Sequence, residues 1–186
     1  MKVKDMIGRV MVLFDEATGY DLVKDAYEYR YRIYDAMDSI QRELAVILSP
    51  IPAVKTISSV GGRADIGADV LRIRSLKDAS GRNVCFSFGG VNEITVSDGD
   101  HELFYDRYPT RITNSSGDTA VIDEMELEIS PEAQEAMVYG VCAYLLMNDE
   151  PELYNAYTGR YMSLVSNLLA ARDSRPLALV RGGADI

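Results

Sequence analysis

The sequence predicts an α+β protein in which a bundle of about four helices is interrupted by an inserted antiparallel β-domain. Two observations favour this fold class. Apolar residues recur with a helical period near both ends of the 186-residue chain, and β-formers alternate with a period of two between them. Neither helical half buries its apolar stripes alone, so the halves are expected to pack together. We assign 1–50 and 130–172 to a discontinuous helical scaffold, 53–129 to the β-domain and 173–186 to an extended C-terminal arm.

The first fifty residues predict two helices. The stripe of the first helix comprises Val3, Met6, Ile7, Val10, Leu13 and Phe14. Thr18-Gly19 is expected to end this helix. The second helix should run from about Asp21 to Leu48, and its inward side carries Ala26, Ile33, Met37, Ile40, Leu44 and Ile47. The sequence SPIP at 49–52 ends it, because proline lacks the helical N–H.

Tyrosine is unusually frequent in this chain, with twelve residues and no tryptophan. Tyrosine combines apolar area with a hydroxyl group that tolerates partial exposure, so it suits both cores and interfaces. Tyr27, Tyr31 and Tyr34 form a stripe beside the inward side of the second helix. Tyr29 falls on a different side, and we expect it on a contact surface.

The middle of the chain predicts five to eight short antiparallel strands. Segments such as VLRIRSL, NVCFSF, NEITVS and AVIDEMELEI are separated by turns rich in Gly, Asn, Asp and Ser. They could form a small sandwich, a barrel or a curved sheet. The last of these segments, AVIDEMELEI, carries four acidic residues that are predicted to form one solvated strand face: Asp123, Glu124, Glu126 and Glu128.

Helical spacing returns at Ser130, a good N-cap, followed by Pro131 at the first helical position. The stripe of this helix comprises Ala133, Ala136, Met137, Gly140, Val141, Tyr144 and Leu145. The sequence NDEP at 148–151 breaks the helix, and so short a connection makes the next helix antiparallel. The inward stripe of that last helix comprises Tyr154, Tyr157, Tyr161, Leu164, Val165 and Leu168.

Composition bears on the partners. The formal net charge of −10 opposes adhesion to nucleic-acid phosphates. The N-terminal sequence lacks a signal cleavage site, and the chain has no run approaching the ~20 apolar residues of a membrane span. We therefore expect a cytoplasmic protein without a membrane partner. Cys85 and Cys142 lie among apolar neighbours and are predicted to be buried free thiols.

The sequence offers no obvious catalytic set. His101 is the one histidine, so any histidine-dependent triad must use it. Asp98, Asp100 and Glu102 alternate around it, but the spacing of a calcium loop is missing, and a solvated hairpin turn is the favoured reading. We therefore expect no enzyme, no cofactor and no catalytic or metal-binding residues, and a protein that works by contact.

Three segments together resemble one family. MKVKDMIGRVMVLFDE at the start, AMDSIQRELAVILSPIP in the second helix and SPEAQEAMVYGVCAYLLMNDEPELYNAYTGRYMSLVSNLL near the end are similar to the head-to-tail connector, or adaptor, proteins of tailed bacteriophages and prophages. The resemblance covers both helical ends, about 100 residues. It consists of similar residue spacing and composition. The β-segment departs from the smallest, all-helical members of that family.

The resemblance implies a structural virion protein of the phage neck, assembled in the bacterial cytoplasm. Such proteins form a ring, typically of twelve copies, beneath the portal protein, and they provide a platform for tail or head-completion proteins. DNA would pass through the lumen without specific binding. In that family the C-terminal arm commonly reaches the portal, which suggests these portal contacts here: Arg175, Pro176, Leu177, Leu179 and Val180.

A ring requires interfaces in which one patch meets a different patch of the next copy. The charged face of the second helix and the acidic break before the last helix are the expected subunit interface: Tyr29, Arg30, Arg32, Asp35, Asp38, Asp149 and Glu150. Two alternatives remain open. The chain could be another neck or tail protein, such as a completion or terminator protein. It could also be a module whose β-domain binds a ligand through Phe86, Phe88, Phe104, Tyr105 and Tyr108.

Overall fold

The computed structural model of the chain describes residues 1–18, 22–48, 50–112 and 118–173, without the side chains of 14–18 and 22–29. Within these ranges the chain forms five helices and six strands. The helices are α1 (Val3–Thr18), α2 (Leu22–Ile47), α3 (Thr119–Asp123), α4 (Pro131–Leu146) and α5 (Pro151–Asp173). The strands are β1 (Ile51–Ser59), β2 (Arg63–Asp65), β3 (Val70–Asp78), β4 (Ser87–Phe88), β5 (Glu93–Thr95) and β6 (Gly99–Arg107). The protein is therefore of the mixed α+β class.

The two N-terminal helices agree with the prediction. The four N-terminal members of the α1 stripe are buried, and Leu13 is half-buried. On α2 the predicted inward residues Ile33, Met37, Ile40 and Leu44 are buried as well. The helix ends at Ile47, before the two prolines.

The strands form two three-stranded antiparallel sheets, with orders β1-β6-β3 and β2-β5-β4. They share an apolar cluster of their own, which comprises Ile57, Ala64, Ile66, Leu76, Ile94, Val96, Leu103 and Tyr105. Side chains alternate between the two faces of a strand, so Leu103 and Tyr105 point into this cluster while Phe104 and Asp106 point to the opposite face of the β1-β6-β3 sheet. We call that opposite face the outer face.

The β-rich region ends earlier than the sequence predicts. Residues 119–129 do not form a strand: Thr119–Asp123 is the short helix α3, and Glu126 makes a single β-bridge to Lys2. The side chain of Asp118 caps α3 by accepting a hydrogen bond from the Ala120 N–H at 3.0 Å. The prediction of one solvated acidic strand face is therefore wrong.

Helix α4 begins as the sequence predicts and lies at the centre of the helical core. The Ser130 hydroxyl accepts a hydrogen bond from the Ala133 N–H, and Pro131 is the first helical residue. Eleven of its sixteen residues are buried, and it packs against α1, α2 and α5. Helices from both ends of the chain thus share a hydrophobic core.

Gly140 is the closest point of that packing. A Cβ atom at this position would lie 3.1 Å from the Ile40 Cγ2 and 3.1 Å from two ring carbons of Tyr161. These contacts come from α2 and α5, so three helices meet at this point. A side chain at this position would therefore push against Ile40 and Tyr161, and the larger the side chain, the more the three helices must move apart.

We expect Gly140→Leu to lower the free energy of unfolding by about 1–3 kcal/mol, because the added side chain overpacks the contact of three helices. Chemical denaturation followed by circular dichroism measures this change. Gly159→Ala on α5 is the matched control, since a Cβ there meets no atom within 4 Å. It should raise the free energy of unfolding by about 0.5–1 kcal/mol through helix propensity. Full stability of Gly140→Leu would contradict the packing argument.

Candidate functional site

Polar side chains of α2 hold the chain where it leaves the sheets. The buried carboxylate of Asp38 accepts a hydrogen bond from the Ile112 N–H at 2.9 Å. The buried amide of Gln41 donates to the Thr110 carbonyl oxygen at 3.3 Å and accepts from the Glu128 N–H at 3.1 Å. Because each contact satisfies a backbone group, α2 fixes both the exit from β6 and the approach to α4. We call these contacts the α2 clasp.

An ion pair adds to this junction. The Arg107 guanidinium donates to both carboxylate oxygens of Glu128, at 3.0 and 2.6 Å, in a bidentate arrangement. Glu128 also accepts a hydrogen bond from the Thr110 N–H. The hydrogen bonds from Arg107 hold the pKa of Glu128 below its usual range despite partial burial. The end of β6 is thereby joined to the segment before α4.

Two further acids of that segment bind the N-terminal helices. Asp123 accepts a hydrogen bond from Arg30 at 2.6 Å and one from the Tyr34 hydroxyl at 2.6 Å. Burial, together with this hydrogen bond, raises the pKa of Tyr34 to about 12. Glu124 bridges two N-terminal lysines, and their hydrogen bonds lower its pKa to about 2. Three of the four acids predicted to be solvated therefore hold elements of the fold together.

The predicted interface on α2 is only partly on the surface. Asp38 belongs to the α2 clasp and is buried, so it does not lie on the exposed face. Arg30 is half-buried and its guanidinium binds Asp123 within the same chain. Arg32 and Asp35 are exposed. The helical period places all four residues on one helix, but it does not predict the contacts that bury Asp38 and engage Arg30 within the chain.

The tyrosines with described hydroxyl bonds act mainly in the interior. The Tyr161 hydroxyl donates to Glu43 at 3.0 Å, and the Tyr157 hydroxyl donates to the Leu13 carbonyl oxygen at 3.1 Å. Burial raises the pKa of Tyr161, and the neighbouring Glu43 adds to the shift. Each ring contributes apolar area while its hydroxyl joins α5 to another helix. The side chain of Tyr29 lies outside the described residues.

A groove of about 530 Å³ runs between α1 and α4. Apolar residues and three charged residues line it together: Asp5, Gly8, Arg9, Val12, Leu13, Glu135, Val138 and Tyr139. The Val12 side chain is exposed there although α1 otherwise packs its apolar stripe inward. Nothing in the structure identifies what this groove holds.

His101 is buried, so the prediction that it sits in a solvated turn is wrong. It lies on β6, where its Nε2 donates to the Ser97 carbonyl oxygen at 2.8 Å. Asp98 accepts a hydrogen bond from the Gly62 N–H, and Asp100 accepts one from the Ser58 hydroxyl, both at 2.6 Å. Among the described residues, no group of three or more His, Cys, Asp or Glu side chains is placed to hold a metal ion.

The aromatic residues proposed for ligand binding do not meet in one place. Phe104 and Tyr105 point to opposite faces of their sheet. Phe86 and Phe88 stack edge to face on each other, with ring centroids 5.8 Å apart. The Tyr108 ring lies under the Arg42 guanidinium at 4.3 Å, at the junction with α2. These five rings therefore line no common pocket.

One charged cluster on the outer face was missed from the sequence. The Asp106 side chain is 0% exposed, yet it lies on this face beneath two arginines. Arg72 donates to one of its carboxylate oxygens through Nε at 3.1 Å and Nη2 at 2.8 Å. Arg74 contacts the other oxygen through Nε and Nη2, both at 2.6 Å. Alternation in VLRIRSL puts both arginines on one face, but the pairing with Asp106 needs the strand register.

The acidic connection between α4 and α5 is exposed, as its composition indicates. Asp149, Glu150 and Glu152 are all at the surface. Within the described ranges their carboxylates take part in no ion pair. The predicted portal contacts at 175–180 lie outside the described residues.

No helix within the described ranges has the length and apolar character needed to span a membrane.

Comparison with known proteins adds no further constraint. No family model matches the chain, and no curated protein matches it either.

The cysteines differ in exposure. Cys142 is buried in the helical core as predicted, and burial raises the pKa of its thiol to about 12. Cys85 is exposed, so the prediction of a second buried thiol is wrong. Its apolar neighbours in the sequence belong to a short edge strand and the approach to it, which cover little surface.

We expect Asp38→Ala to lower the free energy of unfolding by about 1.5–3 kcal/mol, because it removes a charged acceptor from a buried backbone N–H. Asp35→Ala is the control on the same helix, and it should change stability by less than about 0.5 kcal/mol because Asp35 is exposed. Urea unfolding of both variants measures the difference. An effect of Asp38→Ala below about 0.5 kcal/mol would show that the Asp38 contact of the α2 clasp contributes no stability.

We expect iodoacetamide to modify one thiol in the native protein and two in denaturant. Cys85 is exposed, whereas the Cys142 thiol is buried with a raised pKa and presents little thiolate. Intact-mass spectrometry before and after unfolding counts the adducts, and Cys85→Ser identifies the site. Native modification of Cys142 at the rate of Cys85 would contradict the packing of α1 on α4.

Proposed function

We propose that the chain is a head-to-tail connector of a tailed bacteriophage or prophage, a structural protein of the virion neck that performs no catalysis. In this proposal a helical bundle carries a small β-sandwich as an insert, and residues 1–50 and 130–172 form one discontinuous scaffold. The protein assembles in the bacterial cytoplasm as a ring, with twelve copies as the expected number. The ring binds the portal protein on one side and tail or head-completion proteins on the other.

The observation that carries the proposal is the packing of α4. The resemblance to connectors rests on segments from the two ends of the sequence, which residues 53–129 separate. Those segments are α1, the C-terminal half of α2, α4 and α5, and α4 packs against the other three. A resemblance scattered along the chain is thereby concentrated in one structural unit, as expected if that unit is the ring-forming scaffold.

Charge is compatible with passage of DNA through the ring. A copy with net charge −10 repels phosphate, and a ring of such copies offers little gain from counterion release. DNA can therefore slide through the lumen without being held. The groups with shifted pKa, such as Glu128 and Tyr34, are engaged in contacts between elements, which supports a structural role for them.

The first test is the assembly state of the purified protein, alone and with portal rings of the same phage or prophage. Light scattering after size exclusion gives the mass, and negative-stain images give the shape. Rings, or stoichiometric binding to portal rings, support the connector. A protein that neither forms rings nor binds portal rings contradicts it. Recovery from tail particles but not from filled heads would favour another neck or tail protein instead.

We expect deletion of residues 174–186 to weaken portal binding by at least about tenfold while leaving the thermal unfolding midpoint unchanged, because the arm supplies apolar contacts. Leu177→Ala with Leu179→Ala should reproduce most of the loss, whereas Ser174→Ala serves as a control outside the apolar stretch. Binding to immobilised portal rings measures all four proteins. Portal affinity that survives the deletion would refute a role for the arm.

A further inference from the structure

We propose that the arginine pair on the outer face, Arg72 and Arg74, binds the acidic α4–α5 connection of a neighbouring copy of this chain. This interface rests on the proposed ring and specifies which two surfaces meet in it. The acidic side comprises Asp149, Glu150 and Glu152, which we call the acidic turn. The contacts within one chain do not identify a partner molecule for either surface.

The outer face is available for a partner. Among the described elements, helices pack mainly on helices and strands mainly on strands. No described helix packs extensively against β1, β3 or β6. The outer face also carries exposed apolar surface, because Val54 on β1 is 57% exposed beside Phe104. A charged pair next to exposed apolar area has the composition of a protein interface.

The arginine pair carries excess positive charge. Two guanidinium groups neutralise one carboxylate, that of Asp106, so the cluster keeps one positive charge in a chain whose net charge is −10. The Arg72 and Arg74 side chains remain 67% and 50% exposed. Their contacts to Asp106 use Nε and Nη2, and a guanidinium has further N–H donors at Nη1. Those donors can bind a second carboxylate.

The buried carboxylate also positions the two arginines. An arginine side chain free in solvent loses rotamer freedom when it binds a partner, and this loss weakens association. Here Asp106 already fixes both guanidinium groups through four short contacts. The pair is therefore organised for a planar, bidentate acceptor such as a carboxylate before the partner arrives.

The acidic turn complements this surface. It presents three carboxylates within four positions, and in the described part of the chain they take part in no ion pair. Pro151 at the start of α5 restricts the backbone of the turn, which limits its own ordering cost. Phosphate would also fit the arginine pair chemically, but the net charge of −10 opposes the binding of an extended polyanion such as a nucleic acid. One copy carries both surfaces, so head-to-tail contacts between successive copies close into a ring when the rotation from copy to copy permits closure.

The test uses charge reversal on the acidic side, where no native contact is lost. Asp149→Lys with Glu150→Lys should weaken self-association at least tenfold, because like charges then face each other. Glu126→Lys with Glu135→Lys makes the same change in net charge at exposed positions elsewhere and should leave self-association within twofold. Sedimentation of the full chain, with portal rings added where assembly needs them, measures each variant.

A charge swap tests the pairing itself. Arg72→Glu leaves Arg74 to neutralise Asp106, and it should weaken self-association as much as the acidic-turn variant. Combining Arg72→Glu with Asp149→Lys and Glu150→Lys in one chain should restore assembly, since each surface then meets the opposite charge. Thermal unfolding of every variant shows that each remains folded.

The outcomes separate this interface from the proposed function. Wild-type assembly that is unaffected by the acidic-turn variant, or not restored by the charge swap, overturns the interface and leaves the connector proposal intact. Failure of the wild-type chain to assemble or bind portal rings overturns both. Duplex DNA binding that depends on Arg72, with self-association unchanged in the acidic-turn variant, would identify phosphate as the occupant and also overturn the interface.

Discussion

The close contact of Gly140 with Ile40 and Tyr161 is the constraint on which the helical part of the structure depends. It brings side chains of α2 and α5 together over one position of α4, where even a Cβ atom would be only 3.1 Å from both. The same core also contains the hydrogen bond from the Tyr161 hydroxyl to Glu43 and the contact of the Cys142 thiol with the Val10 carbonyl oxygen of α1. Helix α4 is buried on most of its sides, and its apolar residues accordingly lie all around it. It therefore lacks the single apolar face of an amphipathic surface helix.

The junction between helices and sheets is built on a different principle. Two apolar clusters serve the two parts of the chain, and polar groups join them where β6 ends. Asp38, Gln41 and Glu128 each accept a hydrogen bond from a backbone N–H there. Arg107 and Glu128 add an ion pair. Hydrogen bonds are directional whereas apolar contact is not, so this junction sets an orientation as well as a distance.

The helices were the part most open to prediction. Their apolar period, the Ser130 cap and the prolines are local signals, and these place helix starts and ends within a few residues. The prediction for residues 119–129 was wrong because the alternating acids in AVIDEMELEI resemble a strand pattern. The structure of this segment depends instead on the cap at Asp118 and on partners as distant in sequence as Lys2 and Arg30. The same limit applies to the candidate site. Arg72 and Arg74 are visible in the sequence, but their pairing with Asp106 depends on a register set by the whole sheet.

The contacts between α1 and the C-terminal half also determine how this chain can fold. Lys2 meets Glu124 across 122 positions, the Cys142 thiol meets the Val10 carbonyl across 132, and the Tyr157 hydroxyl meets Leu13 across 144. Closing so long a loop costs chain entropy before any of these contacts forms, which slows folding. A compact set of strands between the two helical halves shortens the effective loop. Strands that form before the helices dock would therefore lower the entropy cost of bringing α1 onto α4 and α5.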